Sequence, residues 1–237
     1  MNIHLQTSAD DAKRALAESL SEELLSLKEE EVPTLLLFSG GSALGILDLL
    51  DPGCPGDHLT VSPIDERYDP SGHDSNFAAF TETDFFRVAE TARVRFIDTR
   101  VHPQQSRNDL AREFNHALME WMTEHPDGRV LAILGMGPDG HTAGIFPMED
   151  ESAFQTLFLG ERLAVGYLGP EYATCPERVT VTASFLARDI DRIFVFFSGE
   201  EKRAVWKRIT ENEMPLHMLP AGIFRRLPDV EIFTDLR

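Results

Sequence analysis

Short apolar runs alternate with helical patterns along most of this chain. Thr34–Phe38 reads Thr-Leu-Leu-Leu-Phe, a continuous apolar run expected of a strand covered on both faces. Similar strand signals stand at residues 2–7, 58–64, 93–97, 129–134, 163–168, 179–182, 193–197 and 230–233. Between them lie amphipathic stretches. Ser8 caps a helix that keeps Leu16, Leu20, Leu24 and Leu27 on one face. Residues 43–50 read as helical. Residues 103–125 read as a long helix with Leu110, Phe114, Leu118 and Trp121 at helical spacing, ended by Pro126-Asp127-Gly128. A further helix is expected from Gly199 to about Ile209. Strands alternating with helices predict βαβ units. The expectation is therefore an α/β fold, a mostly parallel, doubly wound Rossmann-like sheet with helices on both faces. No linker divides residues 1–237, so a single domain is expected.

Composition narrows the functions. The 237 residues are 42% hydrophobic, enough for a sizeable core. With 22 Lys+Arg against 40 Asp+Glu, the formal net charge is −18. That balance argues against nucleic acid, which needs a basic footprint, and against an anionic membrane surface. No segment approaches the roughly 20 apolar residues of a membrane span, and the N-terminus lacks a signal-peptide pattern. Cys54 and Cys175 make neither a disulfide framework nor a metal motif, and the histidines lack ligand spacing. A cytoplasmic protein without metal or cofactor, and without an obligate protein partner, is expected.

Candidate chemistry gathers where strand ends are expected, the usual ligand position in open α/β sheets. Ser39-Gly40-Gly41-Ser42 follows a strand and precedes a helix. Glycines there let backbone approach a phosphate, although the string also suits an ordinary tight turn. Asp65-Glu66-Arg67 can bring two carboxylates and a guanidinium to one pocket, with Arg67 suited to a phosphate or an oxyanion; for three charges in a row the plainer reading is a solvated charged loop. Leu134-Gly-Met-Gly-Pro-Asp-Gly-His-Thr-Ala143 contains G-x-G-x-x-G, yet Pro138 inside it and its place deep in the chain disfavour a dinucleotide site. The stronger reading takes His141 as a general base near Asp139. Lys202, early in its expected helix, is unfavourable for the macrodipole unless an anion binds. Arg178 opens another strand, where a sheet-edge charge is the plain reading. The partner of His141 stays open among Asp65, Glu66 and Asp139.

In series these segments resemble the 6-phosphogluconolactonase family, within a wider sugar-phosphate superfamily that includes glucosamine-6-phosphate deaminase. The resemblance runs through Gly40-Gly41-Ser42, Asp65-Glu66-Arg67, Asp74-Ser75-Asn76, the 134–143 segment with Phe146-Pro147, Arg178–Thr182, Ser198–Lys202 and Leu219-Pro220. It implies hydrolysis of 6-phospho-D-glucono-1,5-lactone, a small sugar-phosphate lactone. It also implies catalytic roles for His141, Asp139 and Arg67, and substrate or phosphate contacts from Gly41, Ser42, Asp65, Arg178 and Lys202. Two positions depart from the family pattern. Ser42-Ala43-Leu44 replaces a Thr/Ser-Pro continuation, and Gly144 stands where a Ser is usual. Phe146 replaces the Glu of deaminase-type members, and Arg67 replaces their aromatic residue. Both favour the lactonase over an amino-sugar-phosphate deaminase/isomerase. The remaining alternative is a non-catalytic sugar-phosphate sensor.

Overall fold

The computed structural model describes residues 1–211 and 214–237. Seven strands form one parallel sheet: β1 (Asn2–Leu5), β2 (Thr34–Phe38), β3 (Leu59–Pro63), β5 (Arg95–Phe96), β6 (Arg129–Gly135), β9 (Arg192–Phe196) and β10 (Val230–Thr234). Their order is β1-β10-β9-β6-β2-β3-β5, and every pairing is parallel. β2 lies near the centre and is buried throughout. Its side chains alternate: Leu35 and Leu37 join one core, and Leu36 and Phe38 the other. A continuous apolar run is what a strand with two covered faces requires.

Helices α1 (Ala9–Glu29), α2 (Asn76–Thr81) and α3 (Asp84–Thr91) cover one face. Ser8 caps α1 by accepting from the Asp11 N–H at 3.1 Å, as its sequence predicts. The opposite face carries α4 (Arg107–Glu124), α5 (Glu151–Phe158), α6 (Ala183–Arg188) and α7 (Arg203–Glu211). α4 starts later than the apolar spacing alone suggested. Ser106 and Asp109 form a capping box that fixes its first turn. Its buried Trp121 donates to the Thr60 hydroxyl at 3.1 Å and so docks the helix on β3. Of residues 43–50, 43–49 lie in a 3-10 helix spanning Gly41–Leu49, and Leu50 caps it with extended backbone.

The sheet expectation needs one addition. β4 (Asp65–Arg67), β7 (Ala164–Leu168) and β8 (Glu177–Val181) leave the parallel sheet and form a separate antiparallel sheet, order β4-β8-β7. Residues 65–67 therefore form a strand, not a solvated loop. Local polarity concealed this, because their partner strand lies more than a hundred residues downstream. β7 packs on α4, where Gly166 leaves room for Ala111 and Arg107; an added Cβ would stand 3.2 Å from each.

Candidate active site

β2 leads through β3 toward one edge, whereas β6 leads to β9 on the other side. Their adjacent carboxyl ends thus form the point where the strand order reverses, and there a crevice opens. A cavity of about 250 Å³ is lined by the 39–42 loop, the 135–144 loop and Lys202, together with Asp65, Arg67, Asn76, Phe146 and Arg178. A second chamber of about 590 Å³ continues from it. The two share Arg67, Pro138, His141, Phe146 and Arg178, while Asp139 and Tyr172 line only the outer one.

The loop after β2 is set by one backbone angle and one close approach. Gly41 has φ +65°, which glycine takes cheaply. A Cβ on Gly40 would lie 2.3 Å from the Asn76 carboxamide oxygen, whose amide nitrogen donates to the Asp65 carbonyl at 2.8 Å. Asn76 therefore does more than follow the Ser75 helix cap.

The loop after β6 carries the central pair. His141 Nδ1 lies 2.5 Å from Asp139 Oδ1, which also accepts from the His141 backbone N–H at 3.1 Å. Gly137 makes this possible: a Cβ there would lie 2.1–2.2 Å from the imidazole ring. Burial would raise the Asp139 carboxyl, but the hydrogen bond and charge of His141 outweigh it and hold the group at about 2. The imidazole packs on Phe146, ring centroids 4.5 Å apart. No helix opens on this loop, so its G-x-G-x-x-G lacks the helix N-terminus of a dinucleotide site.

Beyond His141 the chain makes a two-residue turn through Ala143 (φ 48°) and Gly144 (φ 65°), closed by hydrogen bonds between Thr142 and Ile145. The antiparallel sheet clamps this turn. The Thr180 hydroxyl donates to the Ala143 carbonyl, and the Tyr167 hydroxyl donates to the Gly144 carbonyl at 2.6 Å. The place of Gly144 has a steric reason: a Cβ would lie 2.6 Å from Asp65 Cβ. Its difference from the family pattern thus concerns backbone angle and space for Asp65, besides any lost hydroxyl.

The arginines come from the second sheet. Arg67 and Arg178 are direct cross-strand partners, a like-charge arrangement that ordinarily costs stability. Arg178 is 6% exposed, not a sheet-edge charge, because β8 is the central strand. Its Nη1 lies 3.8 Å from Asp65 Oδ2, and its guanidinium sits over the Phe146 ring at 5.6 Å. Arg67 reaches Asp74 at 3.7 Å. The Nε atoms of both arginines are buried without a hydrogen-bond partner among the described residues. Burial pushes the Asp65 carboxyl above its usual range, against the opposing pull of Arg178, Arg67 and His141. Lys202 is half-buried and ends a 3-10 turn just before α7, rather than lying inside that helix. Burial lowers its ammonium, against the charges of Glu201 and Asp235.

Of the three carboxylates left open for His141, Asp139 makes the contact. Glu66 does a different task. It accepts from the backbone N–H groups of Phe77 at 3.0 Å and Asn76 at 2.5 Å, and from the Thr99 hydroxyl at 2.8 Å, tying β4 to the start of α2. Sequence reasoning missed Tyr172, whose hydroxyl donates to Asp139 Oδ2 at 2.8 Å. It sits in an irregular segment with no motif to mark it.

Over 220 residues the chain is 28% identical to the 6-phosphogluconolactonase of Neisseria meningitidis, covering 89% of this chain and 88% of that one. It is 32% identical over 208 residues to that of Thermotoga maritima, with 86% and 87% covered. The crystal structure of 6-phosphogluconolactonase from Thermotoga maritima superposes with a TM-score of 0.77 over 98% of both chains at 23% identity, which shows the shared fold. The family model described as glucosamine-6-phosphate isomerases/6-phosphogluconolactonase matches residues 7–229. On this breadth of match, the chain belongs to the glucosamine-6-phosphate isomerase/6-phosphogluconolactonase family.

Proposed function

We propose that this protein is a 6-phosphogluconolactonase, a carboxylic ester hydrolase that opens 6-phospho-D-glucono-1,5-lactone to 6-phosphogluconate. The reaction is the second step of the oxidative pentose phosphate pathway. The observation that carries the reading is the His141–Asp139 pair, 2.5 Å apart, in a cleft it shares with two arginines on facing strand positions. Relatives named 6-phosphogluconolactonase support it.

With Asp139 ionised, His141 Nδ1 carries the proton of their hydrogen bond and Nε2 is free to accept one. Water attacks the lactone carbonyl carbon as Nε2 takes its proton, and Asp139 stabilises the resulting imidazolium. Arg67 stabilises the negative charge that develops on the carbonyl oxygen. Collapse of the tetrahedral intermediate breaks the ring C–O bond, and the imidazolium returns the proton to the leaving oxygen. Gly41 and Ser42 offer backbone N–H groups, and Lys202 and Arg178 offer charge, to the 6-phosphate in the inner chamber. Asp65 sets Arg178 and borders the sugar. A cleft that collects these cations resolves how a chain of net charge −18 takes an anionic substrate, since charges beyond about 8 Å are screened at physiological salt.

The test is a coupled assay. Glucose-6-phosphate dehydrogenase generates the lactone in place, and 6-phosphogluconate is followed above spontaneous hydrolysis. Acceleration by the protein is expected, with a loss of about 100-fold or more in His141→Ala. A near-wild-type rate in that variant would remove His141 from the mechanism. Ammonia released from glucosamine 6-phosphate would instead establish the deaminase reading, against which Phe146 stands.

A further inference from the structure

Asp139 is held from both sides. Its Oδ1 accepts from His141 Nδ1 and the His141 backbone N–H, and its Oδ2 accepts from Tyr172. Tyr172 reaches this contact from the 169–176 segment between β7 and β8. That segment is closed on itself by the Gly169 N–H donating to the Pro176 carbonyl at 2.7 Å and the Ala173 N–H to the Pro170 carbonyl at 3.0 Å. The Tyr172 ring stands edge-on to Phe146, centroids 6.2 Å apart, and Phe146 is the ring on which His141 packs. Yet Tyr172 is 68% exposed. A surface tyrosine gains little from burial, so its fixed direction rests mainly on the carboxylate it bonds.

We infer that Tyr172 is a positioning residue: its phenol holds the second carboxylate oxygen of Asp139 so that the first stays aligned on His141. The other charged groups facing this chamber are Arg67 from β4 and Arg178 from β8, with Asp65 beside Arg178 and Lys202 in the inner chamber.

The kinetic part of this inference rests on the proposed hydrolysis; the contact itself does not. In the coupled assay, Tyr172→Phe should lower kcat by about tenfold with KM changed by less than about twofold. Tyr172→Ala should behave like Tyr172→Phe. Wild-type kcat in Tyr172→Phe would overturn the inference, and so would a defect confined to Tyr172→Ala, which would assign the effect to the ring. An independent readout is NMR titration of ¹³C-labelled tyrosine. Partial burial and the adjacent Asp139 push the Tyr172 phenol up to about 12. In Asp139→Asn it should fall toward the ordinary value of about 10. An unmoved phenol overturns the contact. A wild-type protein without lactone hydrolysis would refute the proposed function, and the titration alone would then judge the contact.

Discussion

The two sheets contribute to the cleft in different ways. The parallel sheet supplies loops: its carboxyl ends deliver the 39–42 turn, the 135–141 segment and Lys202. The antiparallel sheet supplies side chains directly from strand register, with Arg67 opposite Arg178 and Asp65 opposite Thr180. The first kind of element tolerates irregular backbone and places groups by close approach. The second holds two like charges side by side at a fixed spacing, which no loop would keep without a ligand. The His141–Asp139 pair and the two arginines thus have separate scaffolds, joined at the Ala143-Gly144 turn. Changes in one scaffold should therefore separate from changes in the other.

The largest expected break is on the parallel-sheet side. Gly137→Ala puts a methyl inside the space of the imidazole, so His141 must leave Asp139. A fall in kcat of about 100-fold is expected, with circular dichroism and melting close to wild type. Unchanged turnover would show that the pair is not needed in this geometry.

Next comes the cation set, which draws on both scaffolds. Lys202→Ala and Arg178→Met should each raise KM for the lactone by about tenfold or more, through loss of a charged contact to phosphate. They should differ in stability. Arg178→Met leaves buried Asp65 without the Arg178 cation and should lower Tm, whereas half-buried Lys202 has no hydrogen-bond partner among the described residues to abandon. An unchanged KM in both variants would sink the phosphate assignment.

The smallest effect on chemistry, and the clearest on stability, is expected at the joint. Gly144→Ala brings a Cβ onto Asp65 at a backbone angle of φ 65°. A loss of about 1–3 kcal/mol is expected from denaturant unfolding. A variant as stable as wild type would mean that Asp65 moves freely, and that the two scaffolds are less tightly joined than their hydrogen bonds indicate.

Legibility followed the range of the interaction. The central strands were plain because a strand covered on both faces must be apolar along its length, as in Thr34–Phe38 and Val130–Leu134. Glycines marked both the 39–42 and the 135–141 loops, because positive φ demands one at Gly41 and close approach demands one at Gly137. The Asp139–His141 pairing lies within two residues, so local sequence could suggest it. Asp65-Glu66-Arg67 was different: three charges in a row read as solvated surface, and only pairing with residues 178–180 makes them a strand.

By itself, then, the sequence determined the α/β alternation, the loops at the strand ends and the residue types available for acid–base and phosphate chemistry. These depend on periodicity and on backbone freedom, both local properties. Tertiary structure alone decided that Asp139, and neither Asp65 nor Glu66, partners His141, that Arg67 faces Arg178, and that Tyr172 reaches Asp139 from a segment 33 residues away. Those outcomes depend on strand register and loop return. Nothing in a neighbouring residue's chemistry specifies which distant group will be brought against it.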